Sequence, residues 1–115
     1  MLQDPHQLPY GLRCHVERGD DGCAVVRPVG EIDLASAGAV TDALDAVHAD
    51  GGGPVRLDLT GVTFMDSTGL RVVIREHQRA GADGGLRVAV ARGGEVHRLM
   101  ELAGLLGLLP IDVDG

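Results

Sequence analysis

Hydrophobic and polar residues alternate in two stretches of the sequence, residues 55–59 and 86–90. This alternation predicts β-strands with one buried face, because successive side chains of a strand point to opposite sides. Two shorter runs, residues 13–17 and 24–29, flank a turn that is rich in glycine and aspartate, and together they predict a β-hairpin. Residues 111–113 predict a last short strand.

Three other segments have apolar residues at helical spacing: residues 37–48, 67–80 and 95–103. These patterns predict amphipathic helices, and Ser36 is a suitable N-cap for the first of them. In the second helix the residues predicted to be buried are Leu70, Val73, Ile74 and His77. Its opposite side carries a basic stripe, with Glu76 nearby, that is formed by Arg71, Arg75 and Arg79. The simplest expectation for this stripe is a solvated surface.

The predicted elements follow the order β-β-α-β-α-β-α-β, without an internal repeat. Strand–helix–strand units give parallel neighbours and the opening hairpin adds an antiparallel pair, so we expect an α/β fold with a mixed sheet. Alternation within the strands indicates that the helices cover mainly one face of that sheet. A length of 115 residues suits one domain. We assign this domain to residues 12–115, after a loose N-terminal extension at residues 1–11.

The composition narrows the possible functions. A net charge of -7 disfavours direct binding to nucleic acid or to anionic membranes, whose own negative charge would repel this surface. No stretch reaches the roughly 20 apolar residues that span a bilayer, and the first residues lack a signal-peptide pattern. We therefore expect a cytoplasmic protein without membrane insertion. Cys14, Cys23 and the five histidines match no metal-ligand spacing, so we expect neither a metal nor a cofactor.

The segment with the most chemical information is residues 57–70, where a predicted strand ends and the second helix begins. Asp66, Ser67 and Thr68 all fall at the helix start, where a side-chain oxygen can accept hydrogen bonds from free backbone amides. A helix cap without further role is the simplest interpretation. A hydrolase built from Ser67, Asp66 and His97 would need more than this, and the sequence around Ser67 has no nucleophile-elbow pattern. We therefore do not expect an enzyme.

Three segments of the sequence match the pattern of one protein family in the same order. The first is Gly30-Glu31-Ile32-Asp33, directly after the second strand. The second and most specific is residues 57–70, which end in Asp66-Ser67-Thr68-Gly69-Leu70, and the third is residues 99–105. In these segments the chain resembles the STAS-domain anti-sigma factor antagonists, and the resemblance spans about residues 25–113. It implies the STAS fold, a mixed sheet with helices packed mainly on one face.

The resemblance also implies a regulatory cycle centred on Ser67. In that family the matching serine is phosphorylated by an anti-sigma factor that is also a serine kinase, and a PP2C-type phosphatase removes the phosphate. The unphosphorylated protein would bind the anti-sigma factor and so free the sigma factor for transcription. Thr68 is a second, weaker candidate for the modified residue. One alternative role stays open, because STAS domains also serve as subunits of membrane transporters or as parts of signalling scaffolds.

The partner-binding surface implied by the resemblance surrounds the modified serine and comprises Glu31, Asp33, Asp66, Ser67, Thr68, Gly69, Arg71 and Val72. For Glu31 and Asp33 the alternative is a solvated acidic turn, in which Asp33 caps the backbone locally. Families of this kind often have glycine at the position of Arg71, so Arg71 is a departure from the common pattern.

Overall fold

The computed structural model describes residues 11–80 and 85–115, which form six strands and three helices. The strands are β1 (Arg13–Arg18), β2 (Ala24–Ile32), β3 (Val55–Asp58), β4 (Val62–Met65), β5 (Leu86–Ala91) and β6 (Ile111–Asp114). The helices are α1 (Ala37–Ala49), α2 (Ser67–Ala80) and α3 (Glu95–Leu102). Eight of these nine elements agree with the predicted order, and β4 was missed. Apart from Gly11, the extension predicted at residues 1–11 lies outside the described residues.

The strands form a mixed sheet in the order β1-β2-β3-β5-β6, with β4 paired to β2. β1 is antiparallel to β2, whereas every other pair is parallel, so the predicted mixed sheet is confirmed. β2 has nine residues and therefore accommodates two partners along one edge. β3 lies beside its first half and β4 lies beside its second half.

The pairing of β2 with β4 contains an irregularity that explains why β4 was not predicted. The register shifts between Gly30 and Glu31, and the buried residues of β4 are its two ends, Val62 and Met65. A strand of four residues with this burial lacks the alternation that reveals a strand in a sequence. Glycine is required at position 30, because its φ of +118° is strained for other residues and a side chain would collide with the Gly11 carbonyl oxygen.

The two faces of the sheet differ in chemistry. The inner face carries apolar side chains without solvent exposure, such as Val26, Leu57 and Val88. α1 packs against β2, while α2 and α3 pack against β5. The outer face carries salt bridges, which join Arg27 to Asp58, Arg56 to Asp112 and Asp114, and Arg87 to Asp112. The helices therefore cover mainly one face, as predicted.

Asp58 shows how a charged group is accommodated on the outer face. Its Oδ1 accepts hydrogen bonds from the backbone N–H and the hydroxyl of Thr60, at 3.0 and 2.6 Å. Partial burial by itself raises the pKa of Asp58, but these hydrogen bonds and the nearby Arg27 and Arg56 outweigh it and hold the pKa below its usual value. The carboxylate is therefore satisfied in its charged form.

An arginine from β1 holds the end of α1. Arg18 Nη1 donates hydrogen bonds to the carbonyl oxygens of Gly22 and Gly52, at 3.0 and 2.8 Å. Its Nη2 donates to those of Val47 and Asp50, at 3.2 and 3.1 Å. The last carbonyl groups of a helix lack partners within the helix, so a guanidinium with several donors suits this position. Arg18 thus connects the first hairpin, α1 and the loop before β3.

Replacing Arg18 by alanine should lower the free energy of unfolding by about 1–2 kcal/mol, because the carbonyl groups of Gly22, Asp50 and Gly52 lose a donor and recover only water. Arg13→Ala is the matched control, since Arg13 is an exposed arginine on the same strand, and it should cost less than about 0.5 kcal/mol. Urea unfolding followed by circular dichroism measures both values. Equal effects of the two substitutions would contradict the connecting role of Arg18.

Candidate functional site

The start of α2 lies at the end of β2 because β2 and β4 run parallel and end together. Ile32, the last residue of β2, pairs with Met65, the last residue of β4. Asp66 follows Met65 directly, and its backbone N–H donates to the Ile32 carbonyl oxygen at 3.2 Å. α2 begins at the next residue, Ser67. Backbone pairing therefore fixes the position of Ser67 relative to β2.

Asp66 caps the first turn of α2. Its Oδ1 accepts a hydrogen bond from the Thr68 backbone N–H at 2.8 Å, and its carbonyl oxygen accepts one from the Leu70 N–H at 3.3 Å. Ser67 occupies the first position of the helix and is exposed. Within the described part of the chain, the Ser67 hydroxyl makes no hydrogen bond of the capping type. Because Asp66 supplies the cap, the hydroxyl of Ser67 is left available at the surface.

Gly69 allows α2 to pack closely on the ends of β2 and β4. A β-carbon at this position would overlap the side chain of Met65 and would lie 3.2 Å from Ile32 Cγ2. Gly69 is buried, and so are both of these neighbours. Its contribution to the site is therefore the close packing that positions the first turn of α2.

The turn between β2 and α1 is held by its own polar side chains. Asp33 Oδ1 accepts hydrogen bonds from the backbone N–H groups of Ala35 and Ser36, at 3.0 and 3.1 Å. The Ser36 hydroxyl donates to the Glu31 carbonyl oxygen at 2.8 Å. Ser36 occupies the N-cap position of α1 as predicted, but its side chain makes no capping hydrogen bond. The cap prediction is corrected, because the buried hydroxyl turns back into the turn that Asp33 organises.

Leu34 is exposed at the tip of this turn. Its exposed fraction is 83%, although the turn around it is fixed by hydrogen bonds. It borders a groove of about 250 Å³ between α1 and α2, whose lining also includes Thr68, Arg71 and Val72. Leu34 is absent from the residues predicted for the partner surface. The sequence feature that marks it is one large apolar residue in the turn between the hydrogen-bonding side chains of Asp33 and Ser36.

The residues predicted for the partner surface come together around the start of α2. Glu31 and Asp33 lie at the end of β2 and in the turn after it, and the others lie within the first two turns of α2 or directly before it. Exposed members of the set are Glu31, Ser67 and Arg71. The half-buried members are Asp33, Asp66, Thr68 and Val72, and Gly69 is buried. The structure thus brings residues that are far apart in the sequence close to the start of α2.

The interior side of α2 differs from the prediction at Glu76. Val73 is buried as expected, but Leu70, Ile74 and His77 are only half-buried, whereas Glu76 is 2% exposed. The reason is that the carboxylate finds partners on both sides, since charged groups are buried only when they are paired.

The partners of Glu76 join α1 to α2. His48 Nε2 lies 2.6 Å from Glu76 Oε2, and Arg79 Nη2 donates to Glu76 Oε1 at 2.9 Å. Arg79 Nη1 also donates to Asp45 Oδ1 at 2.8 Å. Arg79 is therefore part of a network between two helices, so the stripe predicted as solvated is reduced to Arg71 and Arg75.

Across residues 11–80 and 85–115, no cluster of three or more histidine, cysteine, aspartate or glutamate side chains could hold a metal ion. Burial raises the pKa of the Cys14 thiol to about 11, so this thiol is protonated at neutral pH. In the same part of the chain, no helix has the length and apolar character needed to cross a membrane.

The fold agrees with a comparison against protein-family models. Residues 16–114 match the model described as the STAS domain. This chain belongs to the STAS domain family. The match extends from β1 to β6, so the STAS fold expected from the sequence is confirmed.

Relatives of this STAS domain are named as anti-sigma factor antagonists. The anti-sigma-F factor antagonist RsfB of Mycobacterium tuberculosis is 36% identical over 85 residues, which are 74% of this chain and 69% of that protein. The anti-sigma-B factor antagonist of Listeria monocytogenes is 34% identical over 87 residues, which are 75% of this chain and 76% of that protein. A solved structure of an anti-sigma factor antagonist from Mycobacterium paratuberculosis shares 32% identity and has a TM-score of 0.81, covering 91% of this chain and 88% of that chain.

Replacing Gly69 by alanine should destabilise the STAS domain by about 1–3 kcal/mol, because the added methyl group overlaps the buried Met65. Gly38→Ala is the matched control. Gly38 is an exposed residue of α1 with no atom within 4 Å of an added β-carbon, so alanine should be neutral or stabilising there. Thermal unfolding compares the two variants. A Gly69→Ala variant as stable as Gly38→Ala would show that α2 is not seated by this contact.

Proposed function

We propose that this protein is an anti-sigma factor antagonist that is controlled by phosphorylation of Ser67. In the unphosphorylated state it binds an anti-sigma factor with serine kinase activity in the cytoplasm, and the bound anti-sigma factor releases its sigma factor. Transfer of the γ-phosphoryl group of ATP to the Ser67 hydroxyl ends this binding. A PP2C-type phosphatase hydrolyses the phosphate ester and restores the active form. The observation that carries the proposal is an exposed serine hydroxyl on a helix that is already capped by Asp66.

The local geometry favours Ser67 over the other hydroxyl groups near it. Ser36 is 1% exposed and its hydroxyl is engaged with the Glu31 carbonyl oxygen. Thr68 is half-buried and borders the groove between α1 and α2. Ser67 combines exposure with a position outside the capping hydrogen bonds, so a kinase can reach it without disrupting the helix start.

A phosphate on Ser67 should disturb the partner surface more than the fold. It adds about -1.5 to -2 charges, and the free amides and dipole of a helix N-terminus stabilise negative charge there. The same charge lies beside Asp66 and near the acidic Glu31, on a surface that becomes buried when a partner binds. Removing a phosphate from water into a partner interface costs several kcal/mol of desolvation, which is enough for a 100-fold or larger loss of affinity.

Leu34 provides an apolar contact for this surface. Leu34 presents a large exposed apolar side chain beside the groove, and apolar side chains form the core of many protein interfaces. Together with Val72 and the groove between α1 and α2, Leu34 gives the partner an apolar centre close to Ser67. The regulated charge therefore lies inside the area that a bound partner would cover.

Incubation with the cognate anti-sigma kinase and ATP should add one phosphate to this protein, and peptide mass mapping should locate it at Ser67. The reason is that Ser67 is the exposed hydroxyl at the helix start, whereas Ser36 is buried. A Ser67→Ala variant should take up no phosphate, and a Thr68→Ala variant should still take up one phosphate at Ser67. Phosphate on Thr68 or Ser36 would refute the assignment.

Replacing Ser67 by aspartate should weaken binding to the anti-sigma factor at least 10-fold while the fold stays intact, because a carboxylate is tolerated at a helix N-terminus but not in a packed interface. Ser67→Ala should bind normally and should stay bound when kinase and ATP are present. Isothermal titration calorimetry measures affinity, and circular dichroism with thermal unfolding monitors the fold. Unchanged binding by Ser67→Asp together with normal release of Ser67→Ala would mean that the switch lies elsewhere.

A further inference from the structure

Arg71 stands one helical turn after Ser67 on the same side of α2. Both residues are exposed, and they are separated by four positions in the helix. Residues at this spacing have Cβ atoms about 5–6 Å apart. Side chains of a helix lean towards its N-terminus, so a long side chain at position 71 covers the turn that contains Ser67.

Arg71 has no salt-bridge partner among residues 11–80 and 85–115. Among the salt bridges of the described residues, Arg79 is paired with Asp45 and Glu76, whereas Arg71 and Arg75 have no acidic side chain within 4.0 Å. Arg71 and Arg75 are also four residues apart, which places two positive charges as neighbours on one helix face. An anion near Arg71 would relieve this repulsion as well as form a pair.

We infer that Arg71 binds the phosphate of phosphorylated Ser67 within the same chain. The inference rests on the proposed phosphorylation of Ser67 and adds a second component to the switch. The guanidinium donates charge-assisted hydrogen bonds to the phosphate oxygens, with the anion N-terminal to the cation, which is the favourable order along a helix. Phosphorylation then changes the partner surface in two ways. It adds negative charge at Ser67, and it pairs the Arg71 guanidinium with the phosphate so that this guanidinium is no longer available to the partner.

The neighbouring arginine is a natural control for this inference. Arg75 is eight residues from Ser67, and a rise of 1.5 Å per residue separates the two by about 12 Å along the helix. Arg75 is exposed and also borders the groove between α1 and α2, so it matches Arg71 in exposure and in its place beside the groove but lies further from Ser67. If replacing Arg71 changes the pKa of the Ser67 phosphate and replacing Arg75 does not, the difference is evidence that Arg71 contacts the phosphate.

The test uses the full chain with phosphoserine encoded at position 67 during synthesis, so that no kinase is needed. Phosphorus-31 NMR across pH 4–9 measures the second pKa of the phosphate, which is about 6 for an isolated phosphoserine. We expect this pKa to be about 0.5 higher in Arg71→Gln than in the unchanged phosphoprotein, since an adjacent cation favours the dianion. Arg75→Gln should match the unchanged phosphoprotein.

Two further measurements decide whether the pKa difference arises from a direct contact between Arg71 and the phosphate. In Arg71→Lys the phosphate pKa should lie between the values of the unchanged phosphoprotein and of Arg71→Gln. Lysine keeps the positive charge but lacks the bidentate geometry of a guanidinium. Raising the salt concentration from 0.05 to 1 M should shrink the difference between Arg71→Gln and the unchanged protein, as for an exposed ion pair. Equal pKa values in the unchanged protein and Arg71→Gln, or equal effects of Arg71→Gln and Arg75→Gln, would overturn the inference.

The outcome is independent of whether a kinase recognises Ser67. Because the phosphoserine is encoded, an absent pKa difference would reject the contact with Arg71 and leave the proposed phosphorylation untouched. Conversely, a kinase that modifies another residue would reject the proposed function, while the encoded phosphoprotein would still report whether Arg71 binds a phosphate at position 67.

Discussion

The close packing of Gly69 on Met65 and Ile32 is the contact on which the arrangement of the site depends. Without a side chain at position 69, the first turn of α2 lies directly against the ends of β2 and β4. The hydrogen bond from Asp66 to the Ile32 carbonyl oxygen then joins the same two segments through the backbone. Because buried and backbone contacts hold Ser67 in place, the exposed residues around it need not contribute to stability. They are free to be selected for a partner.

A second constraint sets the distance between α1 and α2. Glu76 is buried, and a buried carboxylate is strongly destabilising unless its partners stay in place. Its partners come from both helices, since His48 belongs to α1 and Arg79 belongs to α2 and also reaches Asp45 of α1. The network therefore fixes the geometry of the groove that opens beside Leu34. The apolar and charged parts of the proposed partner surface are positioned by this pairing together with the packing at Gly69.

The sequence predicted most of the fold because alternation and helical spacing report directly on burial. Those patterns located β3, β5 and the three helices, but they could not detect β4, whose register follows from the shift at Gly30. Glu76 was misplaced because its partner His48 is 28 residues away, and no local pattern indicates that pair. Leu34 was overlooked because the significance of an apolar residue in a turn depends on its exposure. Ser67 was selected through the family motif rather than through periodicity.

Asp66 rather than Ser67 caps α2, and this difference would allow the proposed phosphorylation of Ser67 to act as a switch. If the serine hydroxyl itself capped α2, phosphorylation would remove the cap at the moment it added charge, and fold and binding would change together. In this structure Asp66 accepts the capping hydrogen bond from Thr68. The Ser67 hydroxyl can therefore gain and lose a phosphate while the cap remains. A modification at this position can alter the surface repeatedly without unfolding the helix, which is the property that a reversible protein-binding switch requires.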